Sequence, residues 1–246
     1  LGTDYLDLYY LHWPNEEVPF EETFGALADL REEGLIREAG VSNFGAEQLA
    51  EAREASPVPI VANQVPYSPL WRAIEFGITE ATVNRDASVA AYSPLAQGLL
   101  TGAYDDPDEV PDGINNTRLF SSDRAGTRHG GPGEEDLAFE TIERVREICS
   151  ETPYSMPQVA LAWLLDREGV DTVIAGSTSP EHVRANAEAG SIDLDPDVRF
   201  GTPQAVSEAA VRGLDVLLLA VADEVSTHLD RLREETISYE VVDTAE

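Results

Sequence analysis

The 246-residue sequence contains no lysine: its 16 basic residues are all arginines, set against 47 aspartates and glutamates, for a formal net charge of −31. A surface this acidic repels nucleic acid and anionic lipid, which argues against both as partners. Extreme acidity with lysine replaced points to a protein adapted to high salt, where dense counterions screen the self-repulsion. The single cysteine, Cys149, cannot form an internal disulfide, and nothing around it has metal-ligand spacing. Its expected role is that of a small hydrophobe in a helix. No apolar run approaches the roughly 20 residues of a membrane span, and no signal-peptide pattern occurs, so the expected setting is the cytoplasm.

What is present suits a folded domain. The hydrophobic share of 42% is enough for a globular core, and the length allows one sizeable core with or without a small extra module. Strand and helix signals alternate, which predicts a parallel sheet covered by helices. Strands are expected at Leu6–His12, Ile36–Val41, Ile60–Val65, Ser88–Tyr92 and Thr172–Ala175. Helices are expected at Phe20–Glu33, Ala46–Ala55, Ala73–Arg85, Asp136–Ser150 and Met156–Arg167. A further helix opens at Ser179-Pro180-Glu181, with serine as N-cap and proline in the first turn, and runs to Ala189. Between them, Leu99–Glu134 is rich in Gly, Pro, Asp, Asn and Arg and reads as a long functional or mobile loop.

Each early strand ends in polar residues, which is how a β/α-barrel builds an active site at one face. Five β/α units are visible where a complete barrel has eight. The fold class is therefore α/β, an incomplete TIM-type (β/α)8 barrel over residues 1–199, with two open sheet edges. Residues 200–246 break the pattern. Val211, Leu214, Leu218, Val221, Val225 and Leu232 recur at three-and-four spacing, so this tail is expected to be mainly helical, with Ile237–Val242 as a terminal strand. A replaced terminus, an oligomerisation element and a translation-frame accident all remain open for it.

Four motifs occur in order: His12-Trp13-Pro14, then Gly40-Val41-Ser42-Asn43-Phe44, then Asn63-Gln64-Val65-Pro66-Tyr67, then Ala91-Tyr92-Ser93-Pro94-Leu95-Ala96-Gln97-Gly98. A fifth, Ile174-Ala175-Gly176-Ser177-Thr178-Ser179-Pro180-Glu181-His182, continues to Asn186. Over about residues 1 to 195 the chain resembles the aldo/keto reductases. The resemblance implies that His12 ends the fourth barrel strand and orients a substrate carbonyl. It implies that Ser42, Asn43 and Gln64 hydrogen-bond a nicotinamide carboxamide and that Tyr92 stacks on the ring. Ser93, Leu95, Gln97 and Gly98 then match the loop along the pyrophosphate. Gly176, Ser177, Thr178, His182 and Asn186 match the adenosine-phosphate site at a helix N-terminus. Gly176 and His182 stand where many members carry lysine or arginine. NADP is the expected cofactor, with NAD as the alternative, and no metal is expected.

The resemblance also implies what is not here. The family delivers a proton from a tyrosine whose pKa is lowered by a lysine paired to an aspartate. No lysine exists in this sequence, and neither Tyr9 nor Tyr10 lies in the matching segment. The expectation is an NADP-dependent reductase of aldehydes or ketones, acting on a small carbonyl substrate, truncated at its N-terminal side and inactive as given. A missing N-terminal segment, or self-association through the open edges, would complete it. The rivals are a non-catalytic nicotinamide-binding or regulatory subunit and a decayed gene fragment.

Overall fold

A computed structural model of the chain describes residues 2–195, apart from residues 16, 85, 116, 118 and 125–131. The helix and strand expected beyond residue 200 lie outside the described residues. Among the described residues, 2–105 with 144–195 form one compact unit and 106–143 a second.

The larger unit is a parallel sheet with strand order β1-β2-β3-β4-β5. In chain order the elements are β1 (Leu6–Leu11), α1 (Phe20–Glu32), β2 (Ile36–Ser42), α2 (Ala46–Ala55), β3 (Ile60–Pro66), α3 (Ile78–Val83) and β4 (Ser88–Tyr92). There follow α4 (Glu135–Ser150), α5 (Met156–Leu165), β5 (Val170–Ile174) and α6 (Pro180–Glu188). Every neighbouring pair of strands is parallel and adjacent in sequence. This is the order produced by repeated right-handed β/α crossovers. The architecture is an incomplete TIM-type barrel, and among the described residues β1 and β5 each pair on one side only.

The helices form because their apolar residues recur on one face. In α1, Glu21 and Glu22 sit in the first turn and Arg31 in the last, each complementing the helix dipole. The helix buries Phe24 and Leu27. These pack with Leu49 and Ala52 of α2 and with Ile36, Ala39 and Val41 of β2. A fully buried side chain such as Phe24 contributes about 1.5–3 kcal/mol. Alpha5 is apolar nearly all round, burying Val159 to Leu164 without a break, as expected of a helix inside a unit rather than on its rim.

Three elements differ from the sequence expectation by more than one residue at a boundary. Ala73–Arg85 is not one helix: a 3-10 turn at Ala73–Glu75 is separated from α3 by Gly77 at φ 100. That left-handed glycine interrupts the helical ladder. Helix α5 stops at Leu165, and the Arg167 side chain turns back to donate from Nε to the Trp163 carbonyl at 3.3 Å. Strand β5 begins at Val170 rather than Thr172 because Val89 N–H already pairs with the Gly169 carbonyl at 2.8 Å.

The segment expected to be a loop carries short 3-10 turns at Ala96–Thr101 and Pro107–Glu109. In the smaller unit Arg124 joins it together, pairing with Asp108 at 3.1 Å and with Glu135. Cys149 is buried on α4, as expected of a hydrophobe. Among the described residues no helix is long and apolar enough to cross a membrane.

Candidate active site

Strand register decides which side chains share a face. Tyr10 lies opposite Gly40, Ser42 opposite Gln64, and Tyr92 opposite both Pro66 and Ile174. Alternation then puts Tyr10, Gly40, Ser42, Gln64, Ala90, Tyr92 and Ile174 on one face. Asn63 falls on the other face, where it is fully buried and Nδ2 donates to the Phe44 carbonyl at 3.0 Å. Half of the Asn63-Gln64 pair therefore ties β3 to the loop between β2 and α2, and half faces the candidate site.

Four strands meet through Asn43. Its backbone N–H donates to the Gln64 carbonyl at 2.9 Å. Its Nδ2 donates to the His12 carbonyl and to Ser42 Oγ, both at 3.1 Å. Its Oδ1 accepts from the Tyr92 hydroxyl at 2.8 Å. Ser42 Oγ in turn donates to the Gln64 carbonyl at 2.8 Å. The ends of β1, β2, β3 and β4 are thus joined by one polar chain, and His12, Ser42, Asn43, Gln64 and Tyr92 are brought together as the motifs implied.

Asn43 can be this hub because it sits at φ 63. Asparagine tolerates the left-handed region better than most residues. Of the five non-glycine residues at positive φ among those described, Asn43, Ser93, Ala96 and Gln97 fall in the candidate motifs. Each such residue costs on the order of 1–3 kcal/mol, and such strain gathers at functional sites.

Tyr10 is a member of this face that the sequence reading set aside. Burial raises its phenol pKa, and a hydrogen bond with the Gln64 side chain opposes the rise. Alternation from Gln64 across the sheet was the signal that could have found it. The His12 imidazole, one residue past β1, is exposed and lies beside the Trp13 ring at 5.9 Å.

In the loop after β4, the N–H groups of Ala96 and Gly98 bond to the Ser93 and Leu95 carbonyls, both at 2.9 Å, and Leu100 N–H bonds to Leu95 at 3.2 Å. The expected row of backbone donors over Ser93, Leu95, Gln97 and Gly98 is therefore partly committed to the turn itself.

Beyond β5, Ser177, Thr178, Ser179, Pro180, Val183 and Arg184 line a shallow, open hollow of about 460 Å³. Ser179 Oγ accepts from Glu181 N–H at 3.3 Å, so it caps α6 as expected. The structure does not gather the whole expected set here. Gly176, His182 and Asn186 are outside the lining. The reason is helical geometry. At about 100° per residue, Val183 and Arg184 flank Pro180, whereas His182 and Asn186 share the opposite side. Arg184, close to the motif in sequence and assigned no contact by it, is exposed and lines the hollow. Its Nη1 donates to the Pro180 carbonyl at 3.4 Å.

Comparison with known proteins fits this geometry. The profile of the Aldo/keto reductase family matches residues 1–199. A second profile, Domain of unknown function (DUF7839), matches residues 166–241. The chain is 32% identical over 197 residues to the NADH-specific methylglyoxal reductase of Escherichia coli K12, covering 79% of this chain and 57% of that protein. It is 31% identical over 201 residues to "Aldo-keto reductase yakc [NADP(+)]" of Schizosaccharomyces pombe, covering 79% and 55%. Among solved structures, the thermostable aldo-keto reductase Tm1743, crystallised with the inhibitor epalrestat, matches with a TM-score of 0.63 and 31% identity, over 84% of this chain and 61% of that one. The chain thus spans rather more than half the length of these relatives. With its parallel β/α order, its strand-end polar cluster and a profile match over residues 1–199, the chain belongs to the aldo/keto reductase family.

Proposed function

We propose that this chain is the cofactor-binding part of an NADP-dependent oxidoreductase that reduces small aldehydes or ketones by hydride transfer. The observation that carries the reading is the convergence of Ser42, Asn43, Gln64 and Tyr92 with the end of the His12 strand, at one end of the sheet. Their donor and acceptor set fits a nicotinamide: amide and hydroxyl groups suit its carboxamide, and the half-buried Tyr92 ring offers it an aromatic face. Bound there, a dihydronicotinamide supplies the hydride. The exposed His12 imidazole donates a hydrogen bond that orients the carbonyl.

The proton needs another source. A tyrosine acidified by lysine cannot be assembled from 246 residues that include no lysine. We therefore place that donor on a polypeptide segment outside these residues, one that also pairs with the open edge of β1. Arg184 beside the Ser177–Thr178 hollow supports a 2′-phosphate and hence NADP. Gly176 and His182, and a relative named as NADH-specific, support NAD as the alternative. The acidity and the single cysteine suit a cytoplasm rich in salt.

The absence of lysine also favours a second reading, a nicotinamide-binding or regulatory subunit without catalysis. One experiment separates the two: titration of NADPH and NADH into the chain at molar salt, followed by a cofactor-oxidation assay with methylglyoxal, the substrate in one relative's name, on the chain joined to a barrel segment that supplies the tyrosine, lysine and aspartate. Binding with turnover supports the reductase, and His12→Ala should then lower turnover by about 10². Binding without turnover supports the subunit. Absence of binding overturns both.

A further inference from the structure

The last rung of the ladder between β3 and β4 comes from a residue outside both strands. The register ends with Pro66 opposite Tyr92, and the next residue, Tyr67, donates its backbone N–H to the Tyr92 carbonyl at 3.1 Å. Immediately beyond Tyr92 the chain enters left-handed backbone at Ser93 (φ 51), and does so again at Ala96 (φ 47) and Gln97 (φ 57). Strain of this kind persists only where the surroundings over-determine the chain. Tyr92 is the residue through which it would be released, and the Tyr67 N–H holds that residue from the strand side.

No strand fixes Tyr67 itself; its side chain does. The ring is only 2% exposed and lies against the fully buried Trp163 ring of α5, with centroids 5.6 Å apart. Ser68 and Trp71 exchange backbone hydrogen bonds at 3.1 and 3.0 Å, and this tight turn leads the chain back to Glu75, whose Oε1 accepts from the Tyr67 hydroxyl at 2.6 Å. Arg72 grips the same carboxylate at 2.7 and 2.8 Å. The Arg72 and Arg167 guanidiniums lie 5.1 and 4.9 Å from the Trp163 ring centroid. Burial and the neighbouring carboxylate push the Tyr67 phenol well above its ordinary range, so its hydroxyl stays a donor. We propose that Tyr67 is a positioning residue for the nicotinamide ring: its anchor on Glu75 fixes the backbone N–H that holds Tyr92, and so sets the part of cofactor affinity that comes from stacking on Tyr92. The proposal rests on the nicotinamide reading of the site and adds to it a buried residue that acts only through another.

The test is a calorimetric titration of the full chain at molar salt with NADP+ and with 2′-phospho-ADP-ribose, which lacks the nicotinamide. The ratio of the two affinities isolates what the ring contributes, and in the unaltered chain it should be at least about tenfold, the scale of stacking plus one hydrogen bond. Tyr67→Phe keeps an aromatic ring against Trp163 and removes only the hydroxyl, with no change in net charge. It should lower the ratio about threefold or more, the range of one hydrogen bond, while 2′-phospho-ADP-ribose binds as before. Tyr92→Ala should lower the ratio further, and adding Tyr67→Phe to it should then change nothing, because a residue that acts through another is not additive with it. In the ligand-free chain, NMR-detected exchange of the Tyr67 amide hydrogen should quicken in Tyr67→Phe by at least about tenfold relative to amides within β3. A ratio or an amide unmoved in Tyr67→Phe overturns the proposal while leaving the cofactor reading intact. So does equal weakening of both nucleotides, the mark of a merely structural role, or additivity of the two substitutions. If the unaltered chain binds both nucleotides equally, or neither, the nicotinamide reading itself falls and takes the proposal with it.

Discussion

Gly40→Ala places a methyl group where the Tyr10 ring already lies. A Cβ at Gly40 would stand 2.7 Å from Tyr10 Cε1, 2.9 Å from Cδ1 and 3.3 Å from the Ala62 carbonyl oxygen. Carbon atoms prefer separations of about 3.5–4.0 Å, so the ring must retreat by about 1 Å. Retreat disturbs the Tyr10–Gln64 hydrogen bond, since the two side chains share the face. Overpacking of this kind costs about 1–3 kcal/mol. Alanine offsets part of it, since glycine inside a strand is unfavourable by roughly 0.5–1 kcal/mol. The net expectation is a loss of about 1–2 kcal/mol in the native background. With Tyr10→Ala in place only the milder contact with the Ala62 carbonyl, at 3.3 Å, remains, and Gly40→Ala should become stabilising by up to about 0.5 kcal/mol. The sign reversal is the sharp part of the prediction, a coupling of about 2 kcal/mol between neighbours in contact. Urea unfolding at molar salt, followed by tryptophan fluorescence, measures all four members of the cycle. Additivity within about 0.5 kcal/mol would refute the argument, because it would mean that the two side chains do not compete for the same space.

Three further outcomes are expected. Arg72 forms a two-pronged pair with Glu75, at 2.7 and 2.8 Å, with side chains only 13% and 20% exposed, and Glu75 also accepts from the Tyr67 hydroxyl. Arg72→Ala should cost about 3 kcal/mol in urea unfolding, because it strands a largely buried carboxylate; a loss under about 1 kcal/mol would show the pair behaving as a surface one. Burial pushes the Cys149 thiol up to about 11. An unfolded thiol ionises near about 8.5, so above that pH the unfolded chain binds fewer protons than the folded one. Stability should therefore fall as pH rises from there to about 11, and Cys149→Ala should flatten that part of the profile. Iodoacetamide should label Cys149 at pH 9 only in denaturant, and rapid labelling of the native chain would contradict the burial. Finally, the charge of −31 should make compaction depend on salt. The Debye length falls from about 30 Å at 0.01 M to about 3 Å at 1 M. Near-UV circular dichroism should sharpen over that range, and sharp signals at low salt would sink the repulsion argument.

Much of the fold was legible because each element carried its own local signal. Helix α2, Ala46–Ala55, and strand β4, Ser88–Tyr92, have the bounds their patterns implied. The Ser179-Pro180 opening of α6 has the cap that its residue types dictate. The errors arose where a local signal competed with geometry the pattern does not encode. Ala73–Arg85 has residues that favour helix, yet Gly77 takes φ 100 and divides it. A glycine inside a helical stretch states only that the left-handed region is cheap, not that the chain uses it. Arg167 reads as a helical residue, yet its side chain bonds the Trp163 carbonyl after α5 has ended.

The candidate site was legible in its residue types and opaque in its wiring. Motif order named His12, Ser42, Asn43, Gln64 and Tyr92, and parallel register does bring them together, because strands that start in step also end in step. What the motifs do not carry is which atom gives its proton to which. That depends on where two backbone carbonyls, those of His12 and Gln64, point after the strands have paired. The α6 set shows the same limit from the other side. Residue types suggested His182 beside Ser177 and Thr178, but a helix advances about 100° per residue and turns His182 away while bringing Arg184 round. A short motif at a loop-to-helix junction therefore identifies the chemistry of a site before it identifies the face. The face follows only when the first helical residue, here Pro180, is fixed as the origin from which the angles are counted.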